Sequence, residues 1–298
     1  MSVFSNRYVM LMTVLLLVLT VLQYARRNDL NLYNEGFDQR QPFLAKRDAD
    51  IYDQFYAEIF DDVHHTHERT DFEYNKIIEL TRPSTNHSVF LDVGSGTGHL
   101  VNSLTNAGYN AHGLDVSKDM IDYSTTRFPE IDVKCGDAND SMVYDKGVFT
   151  HIACLNFTLY HMRDKRTFFR NCYHWLAPNG YLILHLVDRD SYNPHSTDDT
   201  VTLKNANLYA NQRRLDANIA FKDFDYKSSH SFNDNEVTVK ETFTDSATQN
   251  VRQNELTMYM ENKNEIIKLA LNNGFVAHAQ INMATDEHQF IYIFERLM

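Results

Sequence analysis

The chain has 298 residues, 43% of them hydrophobic, which is enough for a sizeable core and excludes a chain disordered throughout. Its 28 basic residues against 40 acidic ones leave a net charge of −12 with no long Lys/Arg run, which argues against gripping a nucleic-acid backbone, because phosphate neutralisation needs a basic face. Cys135, Cys154 and Cys172 are odd in number and lack C-x-x-C spacing, so a disulfide scaffold is excluded and a reducing compartment is expected.

The first expected element is apolar. Residues 8–24 read YVMLMTVLLLVLTVLQY without a charge, a stretch that as a helix covers roughly 25 Å at about 1.5 Å per residue, the short end of a bilayer span. Tyr8 and Tyr24 stand where interfacial aromatics belong, and Arg7, Arg26 and Arg27 close the ends. Gln23 and Ala25 make a poor small-x-small cleavage pattern, so residues 1–27 are read as a single-pass membrane anchor. Arg26, Arg27, Arg40, Lys46 and Arg47 outweigh Arg7, which puts the bulk of the chain in the cytosol. Residues 28–48 are read as a polar tether, and residues 49–298 as the folded domain.

In that domain Ile51, Phe55, Ile59 and Phe60 share one helical face; Phe72, Ile77, Ile78 and Leu80 suggest a second helix ending before Pro83. Strand and helix then alternate. Strands are expected at residues 89–93, 111–116, 131–135, 149–155 and 181–187, with helical stripes between several of them. Such alternation means crossover helices and a doubly wound, Rossmann-like α/β fold with a parallel sheet. After Asp190 the pattern stops: residues 191–234 are polar, residues 237–243 and 251–260 look like antiparallel strands, and a helix at 265–271 precedes strands at 275–283 and 289–295. Residues 191–262 are therefore read as a β-rich insertion or cap.

The most informative stretch is VFLDVGSGTGHL, residues 89–100, a strand running into a glycine-dense turn and then a helix. Glycines at 94, 96 and 98 let the backbone approach a ligand closely at the sheet's carboxyl edge. The dinucleotide fingerprint G-x-G-x-x-G would need glycine at 99, where the chain has His99. A second acid, Asp115, ends the next strand at a distance suited to binding ribose hydroxyls.

The spacing D-x-G-x-G-x-G from Asp92 to Gly98 resembles the first motif of class I methyltransferases that use S-adenosylmethionine, and NCYHWLAPNGYLILHLV resembles the segment before their fifth strand. The resemblance covers residues 50–190 well and 264–298 more loosely, and is closest to the small-molecule branch with a methyltransferase type 11/25-like domain, which includes sugar-amine and glycine N-methyltransferases. It implies a seven-stranded sheet and S-adenosyl-L-methionine as cofactor. It further implies that Asp92 holds the cofactor's amino-acid part, that Asp137 binds the adenine amino group, and that Ala138 supplies a backbone contact. Gly94, Ser95, Gly96, Gly98, Asp115, Val116, Met120, Leu155, Asn156 and Tyr56 complete the implied cofactor site, with Tyr52 and Tyr56 resembling an aromatic lid.

Methyl transfer from a sulfonium is an in-line displacement, so the protein's task is positioning, together with a base where the acceptor must lose a proton. His161 and Tyr160, just past the fourth strand, are the candidates for base and orienting group. The row His64, His65, Thr66, His67, Glu68 lacks HExxH spacing and is not read as a metal site. His185 is expected to be a buried, satisfied histidine, while Tyr226, Phe232 and Phe243 fit either a substrate cap or core packing. The acceptor is expected to be a small molecule or a lipid-linked one, at a membrane surface, with no nucleic acid involved. A non-catalytic S-adenosylmethionine-binding scaffold and an NAD-dependent oxidoreductase are the alternatives.

Overall fold

The described chain begins with a strand, β1 (Phe43–Arg47), followed by a 3-10 turn at Asp48–Ile51. This computed structural model describes residues 42–64, 66–194, 215–284 and 286–297. The expected anchor at residues 8–24 lies outside them, and no helix among the described residues is long and apolar enough to cross a membrane. The tether expected through residue 48 is corrected at its end: β1 pairs in parallel with Val251–Tyr259, Arg47 opposite Glu255. Only Leu44 and Lys46 of its five residues are partly buried, so backbone pairing rather than an apolar run makes it a strand.

Two helices follow, α1 (Gln54–His64) and α2 (Thr66–Thr81), then β2 (Val89–Val93), α3 (His99–Asn106), β3 (Asn110–Asp115), α4 (Lys118–Arg127) and β4 (Asp132–Cys135). Strand β5 (Phe149–Cys154) leads through the short α5 (Thr158–His161) and α6 (Lys165–Trp175) to β6 (Leu176–Val187). After the cap strands β7 (Asp216–Ala220), β8 (Phe224–Asn233), β9 (Glu236–Asp245) and β10 (Val251–Tyr259), the chain returns through α7 (Lys263–Asn272) to β11 (Phe275–Asn282) and β12 (Gln289–Arg296).

The main sheet has seven strands in the order β11-β12-β6-β5-β2-β3-β4. Strands β2 to β6 run parallel, and β12 pairs antiparallel with both β6 and β11. The chain winds outward to β3 and β4 on one side of β2 and to β5 and β6 on the other, so the order reverses between β2 and β5. At such a switch point the two connecting loops diverge and leave a crevice beyond the carboxyl ends of the strands. Alternation along β2 feeds two cores: Leu91 and Val93 pack with Phe168, Phe169 and Trp175 of α6, while Phe90 packs with Leu100, Val101 and Leu104 of α3 and Ile77 of α2.

The second sheet, β1-β10-β9-β8-β7, contains the two antiparallel strands legible around residues 237–243 and 251–260 and adds β7 and β8 inside the stretch read as polar. In β8 the inward residues are Phe224, Tyr226 and Ser228 against outward Asp225 and Lys227, an alternation blurred because its third inward side chain is a hydroxyl. Phe224, Tyr226 and Phe243 pack with Phe55 and Tyr56 of α1 and Met120 of α4, so α1 is shared between the cap and the main domain. Phe232 is partly buried against the main core instead.

Candidate functional site

The turn after β2 lies at the switch point. Gly94, Gly96 and Gly98 all have positive φ, at 72°, 50° and 83°. The backbone N–H groups of Gly94 and Ser95 donate to the Leu114 carbonyl at 2.7 and 3.2 Å, which folds the turn across the end of β3. A Cβ on Gly94 would come within 2.3 Å of Thr158 Cγ2, whereas one on Gly96 would meet nothing within 4 Å. The first glycine therefore lets the turn pack against α5, and the second faces open space.

Asp115 ends β3 with both carboxylate oxygens directed at backbone: Oδ2 accepts the Gly96 N–H and Oδ1 the Ser117 N–H, each at 2.9 Å. Burial raises its pKa, and the N–H bonds act against that rise. Asp92, 6% exposed in β2, is pushed up to about 8, chiefly by burial and then by the negative charge of Glu73 and Asp115. Glu73 on α2 accepts from Arg69 Nε at 2.9 Å; the Nη2 of Arg69 is buried with no hydrogen-bond partner among the described residues, and its guanidinium lies 5.6 Å over the Phe157 ring. Arg69 thus pairs with the buried Glu73 and keeps one buried N–H group without a partner among the described residues.

The crossing after β5 is strained: Asn156 and Phe157 have φ of 43° and 64°, consecutive left-handed residues. The Phe157 N–H donates to His185 Nδ1 at 3.2 Å, and His185 Nε2 contacts Gln289 Oε1 at 3.1 Å, so His185 is buried and satisfied as expected. His161 Nδ1 lies 3.3 Å from the Tyr52 hydroxyl. Burial pulls the His161 pKa down to about 4, so the ring is neutral at pH 7. The Tyr52 carbonyl accepts from Ser117 Oγ at 2.5 Å, and a cavity of about 310 Å³ lies alongside, lined by Lys46, Asp50, Tyr52, Asp53, Val116 and Ser117.

A methyltransferase-domain family model matches residues 91–184, the span from β2 through most of β6 that includes the glycine turn, Asp92 and Asp115. Residues 91–184 are therefore a methyltransferase domain. The chain is 30% identical over 142 residues to a dTDP-4-amino-2,3,4,6-tetradeoxy-D-glucose N,N-dimethyltransferase from Saccharopolyspora spinosa, an alignment covering 46% of this chain and 56% of that one. The chain thus spans about half the length of the curated relative it matches. Among solved structures, an S-adenosylmethionine-dependent methyltransferase from Clostridium acetobutylicum superposes with TM-score 0.60 at 17% identity, over 82% of this chain and 98% of that one. An amino pentose methyltransferase from Micromonospora echinaspora, solved with S-adenosylmethionine bound, superposes with TM-score 0.55 at 17% identity, over 77% and 91%. These two show a shared fold.

Several residues expected in the methyltransferase site sit elsewhere. Tyr160 is corrected: it is fully buried, and its hydroxyl oxygen accepts the Val187 N–H at 2.9 Å, so the phenol is a core group and not an orienting one. Tyr56 is turned away as well, its hydroxyl 2.8 Å from Glu241 Oε2 in the cap and 2.9 Å from His64 Nε2; of the two lid tyrosines, Tyr52 approaches His161. Met120 and Leu155 are buried in apolar cores, which removes their side chains from the crevice. Val116 is 58% exposed beside the cavity. Asp137 is exposed and bonds the Asn139 N–H at 2.8 Å, while the carbonyl of buried Ala138 accepts from Asn171 Nδ2 at 2.9 Å. Ser95 is buried, its Oγ without a partner among the described residues.

Arg69 was not singled out in the sequence, although Arg69 and Glu73 stand four apart, a signal for a helical ion pair. Of the described histidines of the row, His64 turns to Tyr56, and His67 meets Asp61 and His99 instead. Those three donors lie within 4.8 Å of one another, yet the Arg127 guanidinium already supplies the positive charge there, bonding Asp61 Oδ2 and approaching His67 Nε2 at 3.3 Å.

Proposed function

We propose that this chain transfers a methyl group from S-adenosylmethionine to an amine nitrogen of a small-molecule acceptor. The observation that carries the reading is the pair of strand-end acids, Asp92 and Asp115, at a glycine turn whose Gly96 is bonded to Asp115 and faces open space. The crevice residues fit the cofactor's chemistry end to end. Asp115 retains lone pairs for ribose hydroxyls after accepting its two N–H bonds, since a carboxylate has about four acceptor positions. Arg69 Nη2 suits a carboxylate and Asp92 an ammonium, the two charges of an amino-acid group. Gly94, Ser95 and Gly98 shape the turn itself, and Val116 lies exposed beside the cavity next to Asp115.

When bound, the cofactor supplies an electrophilic methyl carbon; the chain supplies orientation and a dry site, worth about 7–11 kcal/mol of barrier in well-aligned systems. His161, neutral and held at Nδ1 by Tyr52, keeps Nε2 as a hydrogen-bond partner for an acceptor amine. Amine rather than hydroxyl acceptors are favoured by the relative's amino-sugar substrate. His99, standing where a dinucleotide site needs glycine and engaged by Asp61, weighs against NAD.

Calorimetry of the chain with S-adenosylhomocysteine and with NADH tests the reading. Binding of the first alone is expected; binding of NADH alone would replace this function with redox chemistry, and binding of neither would favour a scaffold. A mass-spectrometric screen of amino sugars and other small amines for a 14 Da gain then identifies the acceptor class, about the mass of one CH₂.

We also propose that residues 8–24 hold the domain at the cytosolic face of a membrane, which would bring lipid-linked acceptors within reach. The uncharged run and its flanking arginines support this. Membrane fractionation and protease protection of chains with and without residues 1–27 test it; equal partition of the two chains into the soluble fraction would refute it.

A further inference from the structure

A loop with three glycines at positive φ has many conformations open to it, so its order must come from contacts outside itself. The first half of the turn is pinned by backbone bonds to Leu114, and Gly96 by Asp115. The second half is held by a residue of a different element. Asp61, near the end of α1 and 9% exposed, accepts from Thr97 Oγ1 at 2.7 Å through Oδ1 and pairs with His99 Nε2 at 2.7 Å through Oδ2. Thr97 lies between Gly96 and Gly98, and His99 is the first residue of α3. Arg127 of α4 bonds the same Oδ2 from the solvent side, and the His67 ring stands edge-on to His99 with centroids 4.0 Å apart. Burial alone would raise the Asp61 pKa, but the bonds from His99 and Thr97 and the Arg127 charge bring it down to about 2, so the carboxylate is charged at any working pH. Five residues earlier on the same helix, Tyr56 bonds Glu241 of the cap.

We propose that Asp61 is a positioning residue that holds the Thr97–His99 half of the glycine turn in its ligand-binding shape. This makes α1 a strut between the cap sheet and the turn. The inference rests on the cofactor reading above.

The test is S-adenosylhomocysteine affinity of the full chain in detergent, measured by calorimetry beside the ligand-free melting temperature. Thr97→Val keeps the side chain's shape and removes the donor; about a tenfold loss of affinity is expected at a temperature well below the lowered melting point of the ligand-free protein, where the variant is fully folded. Thr97→Ser is expected to restore binding. Asp61→Asn is expected to lose at least as much affinity, and to do so less than additively with Thr97→Val, whereas Asp62→Asn, on the exposed face of the same helix, binds like wild type. Wild-type affinity in Thr97→Val, or a loss that Thr97→Ser fails to restore, overturns the proposal. Should Asp61→Asn not fold, the Thr97 pair decides alone. A wild-type chain that binds no S-adenosylhomocysteine removes the cofactor reading itself, and this proposal with it.

Discussion

The Asp115 carboxylate and the Gly96 N–H are 2.9 Å apart, so the acid that closes β3 is bonded to the glycine of the turn that faces open space. Asp115 thereby both shapes the crevice and presents charge in it. Asp115→Ala is expected to weaken S-adenosylhomocysteine binding by about 1–3 kcal/mol, roughly 5- to 150-fold, through lost charged hydrogen bonds. Calorimetry measures this, and unchanged affinity would remove the ribose from Asp115.

Glycines of the same region should fail in different ways. Gly96→Val adds bulk where no atom lies within 4 Å, so the protein is expected to fold, at a cost of about 1–2 kcal/mol for its positive φ, yet to bind no cofactor. Gly113→Ala instead places a Cβ 2.7 Å from Val133 Cγ1 and 2.8 Å from Ser95 Oγ, and is expected to lower the melting temperature. Thermal melts and ligand titrations on both variants separate the two effects.

Asp92 carries a pH signature. Burial raises its folded pKa to about 8, above the unfolded value, so the native state holds a proton that the unfolded chain has released, and stability declines as pH rises from about 4 to about 8. A ligand ammonium needs the carboxylate form, so affinity for S-adenosylhomocysteine is expected to increase over the same range, with proton release visible as a buffer-dependent binding enthalpy. In Asp92→Asn that buffer dependence should vanish.

His151 gives the opposite trend. It is buried, stacks on Phe90 at 4.3 Å, and burial pulls its pKa down to about 4. The unfolded ring takes its proton near pH 6.5, so the stability this ring contributes is complete above that value and is lost as pH falls toward 4. Melting curves across pH 4–7 should show the loss, and His151→Phe should flatten it.

Tyr160→Phe removes the acceptor of the buried Val187 N–H and leaves that donor unpaired. A stability loss of about 1–3 kcal/mol is expected in denaturant melts, with turnover per folded molecule unchanged. A selective loss of turnover would restore Tyr160 to a role at the acceptor.

Much of this molecule is local in origin and so was legible in the amino-acid order. The strand, glycine turn and helix at residues 89–106 follow from backbone sterics and apolar period within a few residues, and the alternation that continues to Val187 makes a parallel sheet the economical outcome. Asp92 and Asp115 were recognisable because each closes a strand beside that turn. What folding alone decided is long-range. Tyr160 was drawn into the core and Tyr52 set against His161, 109 residues away; β8 formed on alternation too polar to read, and Arg69 was carried over the Phe157 ring beyond β5. The reason is that the direction of a side chain depends on how helices and the cap sheet pack over the crevice, a sum of many weak contacts between distant segments that no short window of residues contains.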